Sequence, residues 1–162
     1  LFRSPSVANG DVVLLNNVVH GNGRSASTVG GLYLDLPTTA RVDFNTFVDN
    51  DVMGTLPASI RCTAALPITL KNNIVTSGHA TEVDAGASCG YAYTLSPVAI
   101  AGTGNLAAAP AFIDQLNDDY HLLPTSPGVD DADPAATEPL DIDGDTRPQG
   151  ARADIGADEV VP

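Results

Sequence analysis

Apolar residues between Val12 and Val19 fall at alternate places, and the pattern then returns at a fixed interval. Val12, Ala40 and Ile68 are in register, as are Leu14, Val42 and Leu70, and Val19, Phe47 and Val75. A polar position is locked into the same register. Asn17 returns as Asn45 and Asn73, each step being 28 residues. Asn22 and Asn50 close the unit, and Gly78 stands in the third copy. Alternation of period two marks a strand with one buried face. Self-similarity at a fixed period marks stacked units that share one core. A second apolar block, Leu32-Tyr33-Leu34, matches Ile60-Arg61-Cys62 in the same register. Leu32, Leu34, Ile60 and Cys62 are predicted to face inward, and Tyr33 and Arg61 outward. Gly30, Gly31, Pro37, Gly54, Pro57 and Pro67 separate the blocks and read as turn and strand-end residues.

This pattern predicts an all-β chain. Residues 1–104 read as coils of a right-handed parallel β-helix, 28 residues per coil and incomplete at the N-terminal end. Residues 1–11 read as the remnant of a preceding coil. Asn17, Asn45 and Asn73 are expected to stack as a ladder inside a bend, their amides bonding one another and the turn backbone. Asn22 and Asn50 read as turn residues that tolerate a left-handed backbone. A fourth strand is expected at Val98-Ala99-Ile100, since Val98 follows Leu70 by one period. Ala101 then occupies the Asn position and ends the ladder. Residues 105–162 read as an irregular acidic cap that covers the open core, as terminal units of stacked proteins do, with short strands at 111–113 and 120–123. Helical repeats are excluded by the prolines and the shortage of helix formers, and a leucine-rich repeat by the absence of its Leu spacing.

Composition changes this picture in two respects. With 162 residues and 43% hydrophobic content, the chain is long and apolar enough to bury a core. Its net charge is −13 and unevenly placed: residues 1–110 hold 7 acidic and 5 basic side chains, residues 111–162 hold 13 and 2. So acidic a C-terminal part repels phosphate and argues against nucleic acid and anionic membrane surfaces as partners. No transmembrane run or signal peptide is visible, and the start at Leu1 reads as a fragment or processed product. Cys62 and Cys89 lie 27 residues apart, one short of the period. On adjacent coils about 4.8 Å apart they reach disulfide distance; the other reading is two small buried thiols.

The C-terminal part carries the most specific motifs. Asn105-Leu-Ala-Ala-Ala-Pro-Ala-Phe112 leads to Asp119-Tyr-His-Leu122, then Ser126-Pro-Gly-Val-Asp130, Asp141-Ile-Asp-Gly-Asp145, Arg147-Pro-Gln-Gly150 and Asp154-Ile-Gly-Ala-Asp-Glu159. This order resembles the C-terminal region of bacterial surface β-helix proteins of the choice-of-anchor Q group. The resemblance spans about residues 100–160 and implies a secreted or surface-attached protein with its sorting signal beyond the cap. It implies no reaction, because one fold hosts many functions.

Candidate chemistry is sparse. Asp141, Asp143 and Asp145 alternate around Gly144, and three such carboxylates can converge on Ca²⁺. The glycine placement and missing distal Glu depart from an EF-hand loop, and the alternative is that they cap turns and pair with Arg147 and Arg152. Asp118, Asp119, Asp130, Asp131 and Asp133 form a second acidic group, with Asp130 suited to bonding backbone amides. Polysaccharide lyases of this fold use a Lys or Arg base, but Arg41, Arg61 and Lys71 are the basic residues on the coils and are not expected to converge. Asp43, Asp49 and Asp51 make a glycosidase carboxylate pair conceivable, with no groove to support it. His20, His79 and His121 do not follow the period, and no Ser-His-Asp motif accompanies them. Tyr33 is the best placed aromatic for stacking on a sugar, whereas Tyr91, Tyr93 and Tyr120 read as packing residues. No catalytic residue is assigned. The expectation is a structural, adhesion or glycan-contacting module, with polysaccharide or another copy of the chain as partner. The alternatives are the end of a polysaccharide lyase or glycoside hydrolase, and a self-assembling unit.

Overall fold

The structure is a computed structural model and describes residues 2–3, 11–24, 26–35, 39–63, 68–84 and 89–161. Pro37, Pro67 and most of the 1–11 segment lie outside the described residues. The described chain is all-β, with one short 3₁₀ turn, η1 (Gln115–Asn117). None of its helices is long and apolar enough to cross a membrane.

Three sheets are built of parallel strands. One holds β1 (Phe2–Arg3), β4 (Leu32–Leu34) and β7 (Ile60–Cys62). A second orders β10 (Cys89–Ala92), β8 (Ile68–Lys71), β5 (Thr39–Asp43) and β2 (Asp11–Leu15). The third orders β12 (Leu106–Ala107), β11 (Leu95–Ser96), β9 (Ile74–Thr76), β6 (Thr46–Val48) and β3 (Val18–His20). A small antiparallel pair, β13 (Phe112–Asp114) and β14 (Asp119–Leu122), follows. Val12 pairs with Ala40, Val18 with Thr46 and Leu32 with Ile60, the same interval that separates the asparagines. Within each strand the apolar side chains of one row turn to a common interior. Leu14, Leu32, Leu34, Val42, Phe47, Ile60, Leu70 and Val75 form one buried cluster there. Tyr33 and Arg61, on the opposite face of β4 and β7, are half-buried, with the Arg61 guanidinium 5.3 Å from the Tyr33 ring centroid.

Backbone groups at the bend between the second and third sheets are paired by side chains. The residue before each ladder position is left-handed: Asn16 (φ 52), Phe44 (φ 56), Asn72 (φ 54) and Tyr93 (φ 50). Asn45 Oδ1 accepts the Asn17 N–H at 3.1 Å, and Asn73 Oδ1 accepts the Asn45 N–H at 3.0 Å. The Asn45 amide also donates to the carbonyls of Leu14 and Asp43, both at 2.9 Å. Asn22 and Asn50 differ from the left-handed role expected of them. They form a second ladder, in which Asn50 Oδ1 accepts the Asn22 N–H at 3.1 Å, and the left-handed residues are their predecessors, Gly21 (φ 61) and Asp49 (φ 52).

The step then shortens. Cys89 pairs with Ile68 and Leu95 with Ile74, each 21 residues on, so no strand forms at 98–100 and Ala101 does not take the Asn position. Thr94 takes it, and Asn105 continues the ladder after a further 11 residues, its Oδ1 accepting the Thr94 N–H at 2.9 Å. Part of the shortening falls at Glu82, since Val83 bridges Ile60 only 23 residues back. The buried Glu82 carboxylate accepts the Ser77 N–H and hydroxyl and the Ser59 hydroxyl, all at 2.8 Å, and turns the chain without the longer excursion of the earlier steps.

The segment expected to cover an open end instead runs along the flank of the third sheet. Phe44, Val48, Ile74 and Leu95 pack there with Phe112, Tyr120, Leu122, Ala132 and Ile155 in a second buried cluster. The flank reaches from Leu95, beside Gly128, to Asn16, whose amide donates to the Leu140 carbonyl at 2.7 Å. Its Ala157 N–H donates to Thr46 Oγ1 and its Gly156 N–H to the Asn72 carbonyl, at 3.1 and 3.0 Å. Gly156 (φ 111) must be a glycine, because a Cβ there would lie 2.6 Å from Ile74 Cδ1. Arg41–Glu138 at 3.1 Å and Lys71–Asp133 at 2.8 Å pin the flank to β5 and β8, the inner strands of the second sheet.

Cys62 and Cys89 are joined by a disulfide with Cα atoms 6.1 Å apart. It does not link two stacked strands. Cys62 lies on β7 of the first sheet and Cys89 on β10 of the second, so the bond ties two inner faces together.

Replacing Asn45 by Ala strands the Asn17 N–H and two carbonyls in the interior. It should cost about 3 kcal/mol or more, since each orphaned buried group costs ~1–3 kcal/mol. The denaturant midpoint should fall with the slope unchanged, whereas Asn17→Ala at the more exposed end should cost about a third as much. Reduction of Cys62–Cys89, which frees a loop of 27-residue separation, should lower stability by roughly 3 kcal/mol in the same measurement.

Candidate functional site

The terminal segment meets the third sheet unevenly, and a cleft of about 260 Å³ remains between them. Val18 and His20 of β3 form one wall, and Asp118, Tyr120 and His121 of the β13–β14 hairpin form another. Ile142, Asp143 and Asp158 close the third side. Alternation along β14 sends Tyr120 inward, where its ring meets Phe112 edge-on at 5.5 Å, and sends His121 to the surface.

The polar groups fall into two sets. In the first, the Tyr120 hydroxyl donates to Asp118 Oδ1 at 3.0 Å and lies 3.3 Å from His20 Nδ1. Burial, helped by the bond to Asp118, pushes the Tyr120 hydroxyl up to about 12, so it stays protonated at neutral pH. In the second, His121 Nδ1 lies 2.5 Å from Asp119 Oδ1 and Nε2 lies 2.8 Å from Asp143 Oδ2. The Asp119 bond, with Asp143 adding to it, raises His121 to about 9, and His121 in turn holds the Asp119 carboxyl below its ordinary value. Asp158 is buried, and one of its oxygens accepts the Leu122 N–H at 2.7 Å. Burial raises its pKa.

The three carboxylates that alternate in sequence do not converge. Asp141 Oδ1 accepts the N–H groups of Asp143 and Asp145, at 2.9 and 2.8 Å, and Oδ2 accepts the Glu159 N–H at 3.0 Å. Its oxygens are therefore engaged in shaping the loop. Among the described residues, the group whose ligand-type atoms lie within 4.8 Å of one another is His121, Asp143 and Asp158, so Asp143 alone of the expected set belongs to it. Arg147 and Arg152 do not pair with Asp141, Asp143 or Asp145. Arg152 bonds Asp131, while Arg147 is buried against Glu159 at 3.0 Å, with its guanidinium 4.6 Å from the Phe44 ring centroid. Asp130 Oδ1 accepts the Arg152 N–H at 3.0 Å. Arg41 and Lys71 bond Glu138 and Asp133 on the flank, and Arg61 donates to the Thr28 carbonyl at 3.1 Å, so these cations are spread over separate contacts. His79 lies 2.7 Å from Asp51, away from the cleft.

Sequence reading missed this cleft because its parts come from separate segments. His121 and Asp143 are 22 residues apart, and His20 and Tyr120 are 100. The one legible signal was that Asp119-Tyr-His-Leu122 and Asp154-Ile-Gly-Ala-Asp-Glu159 belong to the same C-terminal set of motifs.

Asp154 is buried within the terminal segment that carries Asp158. Its two oxygens accept the N–H groups of Asp130 and Val160, at 2.7 and 2.8 Å, and burial raises it to about 6. The folded chain thus holds a proton that the unfolded chain releases near 4. Stability contributed by this group falls as pH rises from about 4 to 6 and is constant above. A carboxyl-carbon NMR titration of Asp154 should show a midpoint near 6, and in Asp154→Asn the corresponding loss of stability between those pH values, of order 2–3 kcal/mol, should vanish.

Comparison with protein-family models, with curated proteins and with solved structures gives no match.

Proposed function

We propose that this chain is the C-terminal part of a secreted or cell-surface right-handed parallel β-helix protein of the choice-of-anchor Q kind, and that it serves as a non-catalytic structural or adhesion module. The reading rests most heavily on one observation: the groups that carry chemistry are engaged in holding the fold. The Asn side chains pair backbone at the bends, Glu82 turns a corner, and Asp141, Asp154, Glu159 and Arg147 lock the flank. The 28-residue interval shared by the paired parallel strands of the first rows supports the coil arrangement.

A glycan contact is the second part of the proposal, and the cleft favours it. Its walls pair apolar surface from Val18 and Ile142 with the hydrogen-bonding groups of His20, Tyr120 and His121, the mixture that recognises a small polar ring with apolar faces. With a net charge of −13, the chain favours neutral or amino sugars over polyanions. Tyr33 is less suitable than its outward place suggests, because the Arg61 guanidinium lies over its ring.

The test is incubation with a panel of neutral, amino and acidic polysaccharides. Migration in affinity gels should be retarded by a neutral or amino glycan, and His20→Ala should weaken this several-fold. No new reducing ends or unsaturated uronate absorbance should appear. Release of either product would replace the scaffold with the lyase or hydrolase alternative.

A further inference from the structure

We propose that His121, Asp143 and Asp158 bind one divalent first-row transition-metal ion of the zinc class. This goes beyond the scaffold function and stands whether or not the cleft takes a glycan. A ring nitrogen of His121 and one carboxylate oxygen from each aspartate lie within 4.8 Å of one another, so a small inward shift of the two exposed side chains brings them to one ion, whose ligand atoms at bond lengths of ~2.0–2.2 Å lie no more than about 4.4 Å apart. Imidazole nitrogen with carboxylate oxygen suits zinc and its neighbours, whereas calcium takes oxygen ligands.

Three further features of the structure point to the same ion. His121 Nδ1 is held by Asp119 at 2.5 Å, which fixes the ring so that Nε2 faces Asp143 and Asp158. This carboxylate–imidazole arrangement orients and strengthens metal-bound histidines. Asp158 is anchored through the Leu122 N–H at 2.7 Å, so a buried carboxylate is set in place before any ion arrives. Charge around the site is also unbalanced. Asp119, Asp143 and Asp158 face one imidazole, and the buried cation Arg147 is engaged by Glu159 and by the carbonyls of Asp154, Gly156 and Ala157. The cleft beside the three ligands is large enough for water to complete the coordination.

Calorimetric titration of the metal-free chain with ZnCl₂ should give one site. Asp143→Asn and His121→Ala should each weaken it by tenfold or more, and Asp119→Asn, which positions His121 without touching the ion, by about tenfold. Asp145→Asn, in the same loop, should leave it unchanged. CoCl₂ should give a visible absorption band that zinc abolishes, and CaCl₂ should not compete. Far-ultraviolet circular dichroism of each variant without metal checks that it is folded; both exchanged ligands are exposed, so neither holds the core. Absence of zinc binding to the folded wild-type chain would overturn the proposal. So would binding that survives in folded His121→Ala and Asp143→Asn.

Discussion

A chain that stacks short parallel strands must bend sharply between them, and every bend leaves amides and carbonyls inside the protein. An unpaired buried backbone group costs about as much as several ordinary contacts return. In this molecule the asparagine at the bend meets that demand. It receives the amide of the preceding row with its oxygen and gives its two hydrogens to carbonyls of its own and the preceding row, as Asn45 does with Asn17, Asp43 and Leu14. The solution propagates only if an identical side chain stands in the same register, which is why the sequence periodicity is so strict there. Where the register changes, Asn105 repeats these contacts, receiving the Thr94 amide and donating to the Tyr91 carbonyl, while the Thr94 hydroxyl bonds the Ala92 carbonyl of its own row.

The second constraint is that β6 and β9 of the third sheet are buried on both faces. Phe47 and Val75 point to the inner cluster, while Val48 and Ile74 point to the flank cluster. The terminal segment therefore completes the core sideways. Its acidity is compatible with this because the charges are distributed. Glu138 and Asp133 meet Arg41 and Lys71 on the second sheet, Glu159 meets Arg147 in the interior, and Asp154 accepts backbone amides. Arg147 lies over Phe44, one of two left-handed aromatics at the bends, so the device that closes the flank also covers an unfavourable backbone position. Bend and flank are in this sense one structure.

The cleft is a by-product of that lateral packing. It opens where the β13–β14 hairpin and the 141–145 loop diverge over β3, and it gathers a histidine–carboxylate set on a rigid support. The proposed glycan contact and the proposed metal both depend on the flank being docked.

The repeat in the sequence determined the strand rows, their pairing and which side chains meet the interior, because one-sided burial and a repeated bend leave a periodic mark. Leu32, Leu34, Ile60 and Cys62 are buried for that reason. The same periodicity misled at 98–100, because the step from Ile68 to Cys89 is 21 residues and the next row arrives early. Two-sided burial of β6 and β9 was not anticipated, because the period-two pattern reads as one buried face and says nothing of what covers the other. The terminal segment's placement was decided by tertiary contacts such as Gly156 on Ile74 and Arg147 on Phe44, which join residues with no shared register. The cleft was decided the same way. Spacing reports neighbours along a strand or around a loop, so it suggested Asp141, Asp143 and Asp145; only the docking of three distant segments brings His121 and Asp158 to Asp143.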